Sequence, residues 1–130
     1  MMLSKYCNKN LFTNLYDDAD ILYQEVLDGK WTHDKLLQYA EEGYMDINGN
    51  SQIDDGDQYG LITNSFNNMD NFGFGMGSVF SRRDKDNMPY LTIGEEHNIA
   101  IYEKIYHMIA EAPGVLMNKV EPNPTLQNVE

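Results

Sequence analysis

Positive charge is scarce in this chain. Nine Lys and Arg stand against twenty-one Asp and Glu, for a formal net charge of −12. The few basic residues are scattered, so no stripe exists to neutralise a phosphate backbone or an anionic membrane surface, and nucleic-acid binding is not expected. There is one cysteine, Cys7, which excludes an internal disulfide; with no neighbouring Cys or His it is expected to be a small, partly buried apolar residue. No apolar run approaches the roughly 18 residues of a membrane span, so direct membrane insertion is not expected. The opening MMLSKYCNKN lacks the apolar stretch of a secretory signal, so the chain is not expected to direct its own export. The three histidines, His33, His97 and His107, have no His partner three or four positions away, which disfavours a zinc pair. No nucleophile elbow, P-loop or dinucleotide fingerprint occurs: Gly73–Gly77 is glycine-rich but lacks the Lys and Ser/Thr that a phosphate loop requires. No catalytic constellation is present, and the chain is not expected to be an enzyme.

What is present is the material of a small folded α+β protein. Hydrophobic residues make up 42% and aromatics 12%, with nine tyrosines, too many for a fully disordered chain. At 130 residues the expectation is a core over 1–118, from short strands and three or four helices, followed by a disordered tail over 119–130 with little to bury. Residues 3–7 predict a short strand leading into a turn. Asp17 and Asp18 are candidate N-caps for a helix over 19–28, closed by Gly29. Thr32 is the expected N-cap of the next helix, with Trp31 and Leu36 at hydrophobic-staple spacing and Leu36, Leu37, Ala40 and Tyr44 on its buried face. A strand is expected over 59–63, and a short helix from about Asn67 breaking at Gly73 or Gly75. A hairpin is expected with strands at 78–80 and 90–92 around the charged loop 82–87. Thr92 and Glu95 have capping-box spacing, opening a helix with Ile99, Tyr102, Ile105, Tyr106 and Ile109 inward and ending near Ala112–Gly114.

The most informative stretch is Asp46–Asp57, DINGNSQIDDGD, where four Asp and three Asn or Gln crowd twelve positions. An EF-hand-type calcium loop draws oxygen ligands from positions 1, 3, 5, 7, 9 and 12. Counted from Asp46, these fall on Asp46, Asn48, Asn50, Gln52 (through its carbonyl), Asp54 (through water) and Asp57. Ile53, at position 8, is the apolar residue expected to pin the loop to the core. Two departures weaken the expected affinity: Ser51 stands at position 6, where a glycine makes the sharp turn, and position 12 is Asp in place of Glu. With a strand expected after it, the loop reads as a structural calcium clip, not an opening switch. The competing reading is a metal-free Asx/Gly turn.

In its context, DINGNSQIDDGDQYGL preceded by DGKWTHDKLLQYAEE resembles the central part of the extracellular solute-binding proteins of bacterial ABC sugar transporters, the maltose-binding-protein type. KYCNKNLF is similar to that family's strand entering its second lobe, and MPYLTIGEEHNIAIYEKIYHMI to its strand followed by a long helix. The resemblance covers roughly 6–118. It implies a partial lobe of a periplasmic-binding-protein-like fold and an extracellular or cell-surface parent protein, while calcium as cofactor is expected from the loop itself. It further implies a sugar or oligosaccharide ligand and an ABC permease as the parent's partners. By position in that family, Phe66, Asn67, Asn68, Asp70 and Asn71 would face the ligand cleft, although Phe66, Phe72 and Phe74 read more readily as core or interlobe surface. A second class of function is a free-standing calcium-stabilised interaction module, associating through the 64–80 face.

Overall fold

The computed structural model describes residues 6–118, apart from the side chains of 65–68 and 118. The fold is α+β. In chain order it runs α1 (Lys9–Tyr16), α2 (Ile21–Leu27), α3 (His33–Glu42), β1 (Leu61–Asn64), α4 (Ser65–Gly75), β2 (Ser81–Arg83), β3 (Pro89–Leu91), α5 (Glu96–Tyr106), a π-helical turn (His107–Glu111) and β4 (Val115–Asn118). That is one helix more than the three or four expected. β1 pairs in parallel with β4, and β2 pairs antiparallel with β3. A parallel pair needs a long crossover; here it comprises α4, the hairpin and α5.

Local sequence explains most of these elements. Asn8 caps α1, its side chain accepting from the N–H groups of Asn10 and Leu11, so the polar residues expected to form a turn instead start a helix. Cys7 lies just outside it and is exposed, not partly buried. Asp17 ends α1 in the left-handed region (φ 55°), and α2 starts after Asp20, so neither Asp17 nor Asp18 is its N-cap residue. α2 closes as anticipated: Gly29 (φ 68°) donates to Val26 and Lys30 to Glu25, a Schellman pair that satisfies the last carbonyls. In α3 the Thr32 hydroxyl accepts from Lys35 N–H (3.2 Å), and Trp31 packs on the cluster that holds Leu36.

The core joins Leu36 of α3, Phe72 of α4, and Ile101, Ile105, Met108 and Ile109 of α5 and the π turn. Three glycines let α3 approach the parallel strands. A Cβ on Gly60 or Gly114 would collide with the Ala40 backbone, and one on Gly43 would lie 2.8 Å from the Gly60 Cα. α4 runs through Gly73, where the missing Cβ leaves room for the Tyr102 hydroxyl, which would sit 2.6 Å from it, and ends at Gly75, the second of the two expected breaks.

Three expectations are corrected. The hairpin's first strand lies at Ser81–Arg83, not 78–80. The turn is set by Asp84, whose carboxylate accepts from the N–H groups of Asp86 and Met88, with Asn87 left-handed at φ 62°. The capping box does not form. Thr92, fully buried, donates its hydroxyl to the Val79 carbonyl, and α5 begins after Glu95. The inward face of α5 is rotated from the expected one: Asn98, Ile101 and Ile105 are buried, while Ile99 and Tyr106 are about half exposed. Asn98 accounts for the rotation. Its amide donates to the carbonyls of Val79 (2.9 Å) and Thr92 (2.6 Å) and accepts from Val79 N–H (3.2 Å), clipping the base of the hairpin to the helix. The expected tail over 119–130 and most of the expected first strand lie outside the described residues.

Candidate functional site

The Asp46–Asp57 loop follows α3 and is closed at its base by a two-way backbone pair between Met45 and Gln58 (3.0 and 2.9 Å). Within it the chain coils on its own side chains. The Asp46 carboxylate accepts from the N–H groups of Gly49 (2.6 Å) and Ser51 (2.8 Å). Asn48 accepts from Asn50 N–H, and Asn50 from Gln52 N–H, giving two successive Asx turns. Both amides then donate to the Asp54 carboxylate (3.0 and 2.7 Å), which also accepts from Gly56 N–H. Asn50, foremost, with Gly56 and Asn48, thereby holds the Asp54 carboxyl below its ordinary value. The sharp bends fall at Gly49 (φ 71°) and Ser51 (φ 59°), so the serine adopts the left-handed geometry that a glycine would supply at position 6.

Asp57, at the far end, accepts from the Tyr44 hydroxyl (2.9 Å) and from Asp54 N–H (3.2 Å) through one oxygen. Its other oxygen, Oδ1, is buried with no hydrogen-bond partner. The bond to Asp57 pushes the Tyr44 phenol up to about 12. Tyr59, edge-on to Tyr44 at 5.8 Å, donates to the Asp54 carbonyl (2.9 Å). Ile53 is not the expected anchor: it is 61% exposed. The tyrosines and the Met45–Gln58 pair hold the loop in its place. Thus side-chain hydrogen bonds join Asn48 and Asn50 to Asp54, Asp57 adjoins through the Asp54 N–H, Asp46 engages the backbone at Gly49 and Ser51, and Gln52 is exposed. Among the described residues no three His, Cys, Asp or Glu side chains are gathered as a metal-ligand group. The oxygens available to a hard cation are the Asp46, Asp54 and Asp57 carboxylates plus Asn and carbonyl oxygens. An oxygen that accepts a single N–H, as those of Asp46, Asn48 and Asn50 do, keeps a second lone pair for an ion, and Asp57 Oδ1 has no hydrogen-bond partner to give up.

The candidate ligand residues divide. Asp70 is exposed on α4 and lines a cleft, Asn71 is half-buried with its amide nitrogen unpartnered, and Phe72 belongs to the core. The side chains of Phe66, Asn67 and Asn68 lie outside the described residues. Phe74 is exposed and meets Phe80 edge-on at 5.2 Å.

The cleft has a volume of about 590 Å³, and of the residues expected to face a ligand, Asp70 lines it. One wall is the outer face of α5, with Ile99, Tyr102, Glu103 and Tyr106; the other combines Asp70 with Phe80 and Ile93 near the hairpin base. Phe80 and Tyr102 stack with centroids 6.1 Å apart. The sequence carries a signal for the cleft, since Tyr102 and Tyr106 are four apart on a helix, but the same spacing predicts a core face. Of the histidines, His33 packs edge-on to Phe72 and lines a second cleft together with His107, which pairs with Glu111, while His97 is exposed.

Comparison with protein-family models, curated proteins and solved structures finds no match to this chain.

Proposed function

We propose that this chain is part of the second lobe of an extracellular carbohydrate-type solute-binding protein, and that its Asp46–Asp57 loop is a structural calcium clip. The loop carries the reading. It has carboxylates at both ends, left-handed bends at positions 4 and 6, a closed base, and a buried carboxylate oxygen left unpartnered at position 12. Calcium accepts six to eight oxygens in flexible geometry, which such a loop completes with carbonyls and water.

The lobe assignment draws on the motif order described above and on the form of the sheet. Parallel strands normally lie within larger, doubly covered sheets. Here a parallel pair leaves Ile62 67% exposed, as a strand would if its covering layer belonged to a larger lobe. The parent protein would deliver a sugar or oligosaccharide to an ABC permease, with no catalytic step. A lobe without its facing partner is half a clamp, so sugar binding by this chain is weak.

Calcium titration of chelator-stripped protein, followed by amide NMR, tests the clip. Shifts confined to 46–57 support it, whereas an unchanged spectrum at millimolar calcium makes the loop a solvated turn. Calorimetry tests the half-clamp: micromolar sugar binding by this chain would contradict it.

A further inference from the structure

We propose that the α4–α5 cleft binds a small organic cation, namely a protonated amine carried on a flat apolar body. Its size is that of a small-ligand pocket, and it is lined by aromatic and aliphatic side chains with few polar groups. Ile93, Ile99 and Tyr106 remain about half exposed along it, apolar surface that a ligand would cover.

Charge selects the occupant. Asp70 and Glu103 both reach the cleft, and neither carboxylate has a hydrogen bond or ion pair among the described residues. No described Lys or Arg lines it: Lys104, the next residue on α5, turns to Asp34 (2.6 Å). His107 at the rim is engaged by Glu111 (2.5 Å). Two unpaired carboxylates in a cleft that Phe80, Tyr102 and Tyr106 also line favour an ammonium group, which both carboxylates and aromatic rings attract. An anionic or neutral apolar ligand gains nothing from the carboxylates. This inference does not depend on the calcium loop or on the family resemblance.

Phenethylammonium is a suitable probe, with 2-phenylethanol as its neutral near-isostere. Titrating the full chain, followed by amide NMR, is expected to shift signals around Asp70, Phe80, Ile93 and 102–106, with saturation. Binding of 2-phenylethanol should be weaker by about fivefold or more, the ratio expected of one carboxylate–ammonium contact near water. Asp70→Asn and Glu103→Gln should each weaken phenethylammonium by a similar factor and leave 2-phenylethanol unchanged. Both side chains are exposed, so these variants keep the fold, which the dispersion of their spectra checks. Glu41→Gln, an equal charge change outside the cleft, should have no effect. Equal binding of the two probes would overturn the proposal. So would shifts spread over the acidic surface, equal sensitivity to Glu41→Gln, or cleft shifts with maltose in place of the amine.

Discussion

Ser51 sits at φ 59° with an exposed side chain, and its N–H is bound to Asp46. A Cβ in the left-handed region costs roughly 1–2 kcal/mol, a strain that glycine does not carry. Ser51→Gly keeps the N–H and is expected to stabilise the protein by about 1 kcal/mol, net of the extra freedom glycine gives the unfolded chain. Urea unfolding measures this, and an unchanged or lower midpoint would show that the bend is not strained. Asn98 is the opposite case. It is 2% exposed, and one amide satisfies the Val79 N–H and the carbonyls of Val79 and Thr92. Asn98→Ala deprives these backbone groups of a partner and opens a void, so a loss of about 3 kcal/mol is expected by the same assay. A loss below about 1 kcal/mol would mean that water reaches the groups.

At the scale of elements, the contact of α3 with the parallel strands depends on having no side chain at Gly60 and Gly114. Gly60→Ala would drive a methyl group into the Ala40 backbone, with an expected cost of about 3 kcal/mol or more. Gly94→Ala, which meets nothing within 4 Å, should be nearly neutral, and comparing the two melting temperatures isolates the collision from the change of residue type. The loop has its own pH signature. Asp54 is held below 3.8, so its contribution is full above that value and is lost as pH falls through the lower folded value. Tyr44 is raised from 10.0 to about 12, so its contribution is full below 10 and fades as pH rises towards 12. Tyr16, Tyr39 and Tyr59 are raised as well, chiefly by burial, so the Tyr44 signal is read by difference: ultraviolet titration of Asp57→Asn should show one fewer late-ionising tyrosine than the wild type. If the two titration curves coincide, the Tyr44–Asp57 bond is absent in solution.

Legibility from sequence follows the range of the interactions involved. The Thr32 cap, the Trp31–Leu36 staple and the Gly29 terminus are local, and they could be read directly. So could the loop's side-chain pattern, though not the exposure of Ile53. The phase of α5 could not be read, because apolar residues lie on both sides of the helix and Asn98, a polar residue, sets the buried side. β4 was missed because Val115–Asn118 is short and its partner β1 is remote in sequence, so nothing local marks the pairing.

For the whole molecule, a charge of −12 makes the folded state repel itself, so any salt should stabilise it. A rise in melting temperature on adding calcium therefore proves no site until this general effect is removed. At matched ionic strength the two separate. Sodium chloride only screens, and magnesium, which demands near-ideal octahedral geometry and gives up its waters reluctantly, fits poorly in a flexible loop of Asn and Asp oxygens. A weak clip with a dissociation constant of about 10⁻⁴–10⁻³ M would add roughly 1.4–2.7 kcal/mol at about 10 mM calcium. That corresponds to a rise in melting temperature of about 5–10 °C beyond the sodium control. Asp46→Asn with Asp57→Asn should abolish the excess while keeping the sodium response, since nineteen acids remain of the twenty-one. If calcium and sodium raise the melting temperature equally, the stabilisation belongs to the acidic surface as a whole, and the Asp46–Asp57 loop is an Asx-rich turn in which Asp57 Oδ1 is the buried side-chain oxygen left without a hydrogen bond.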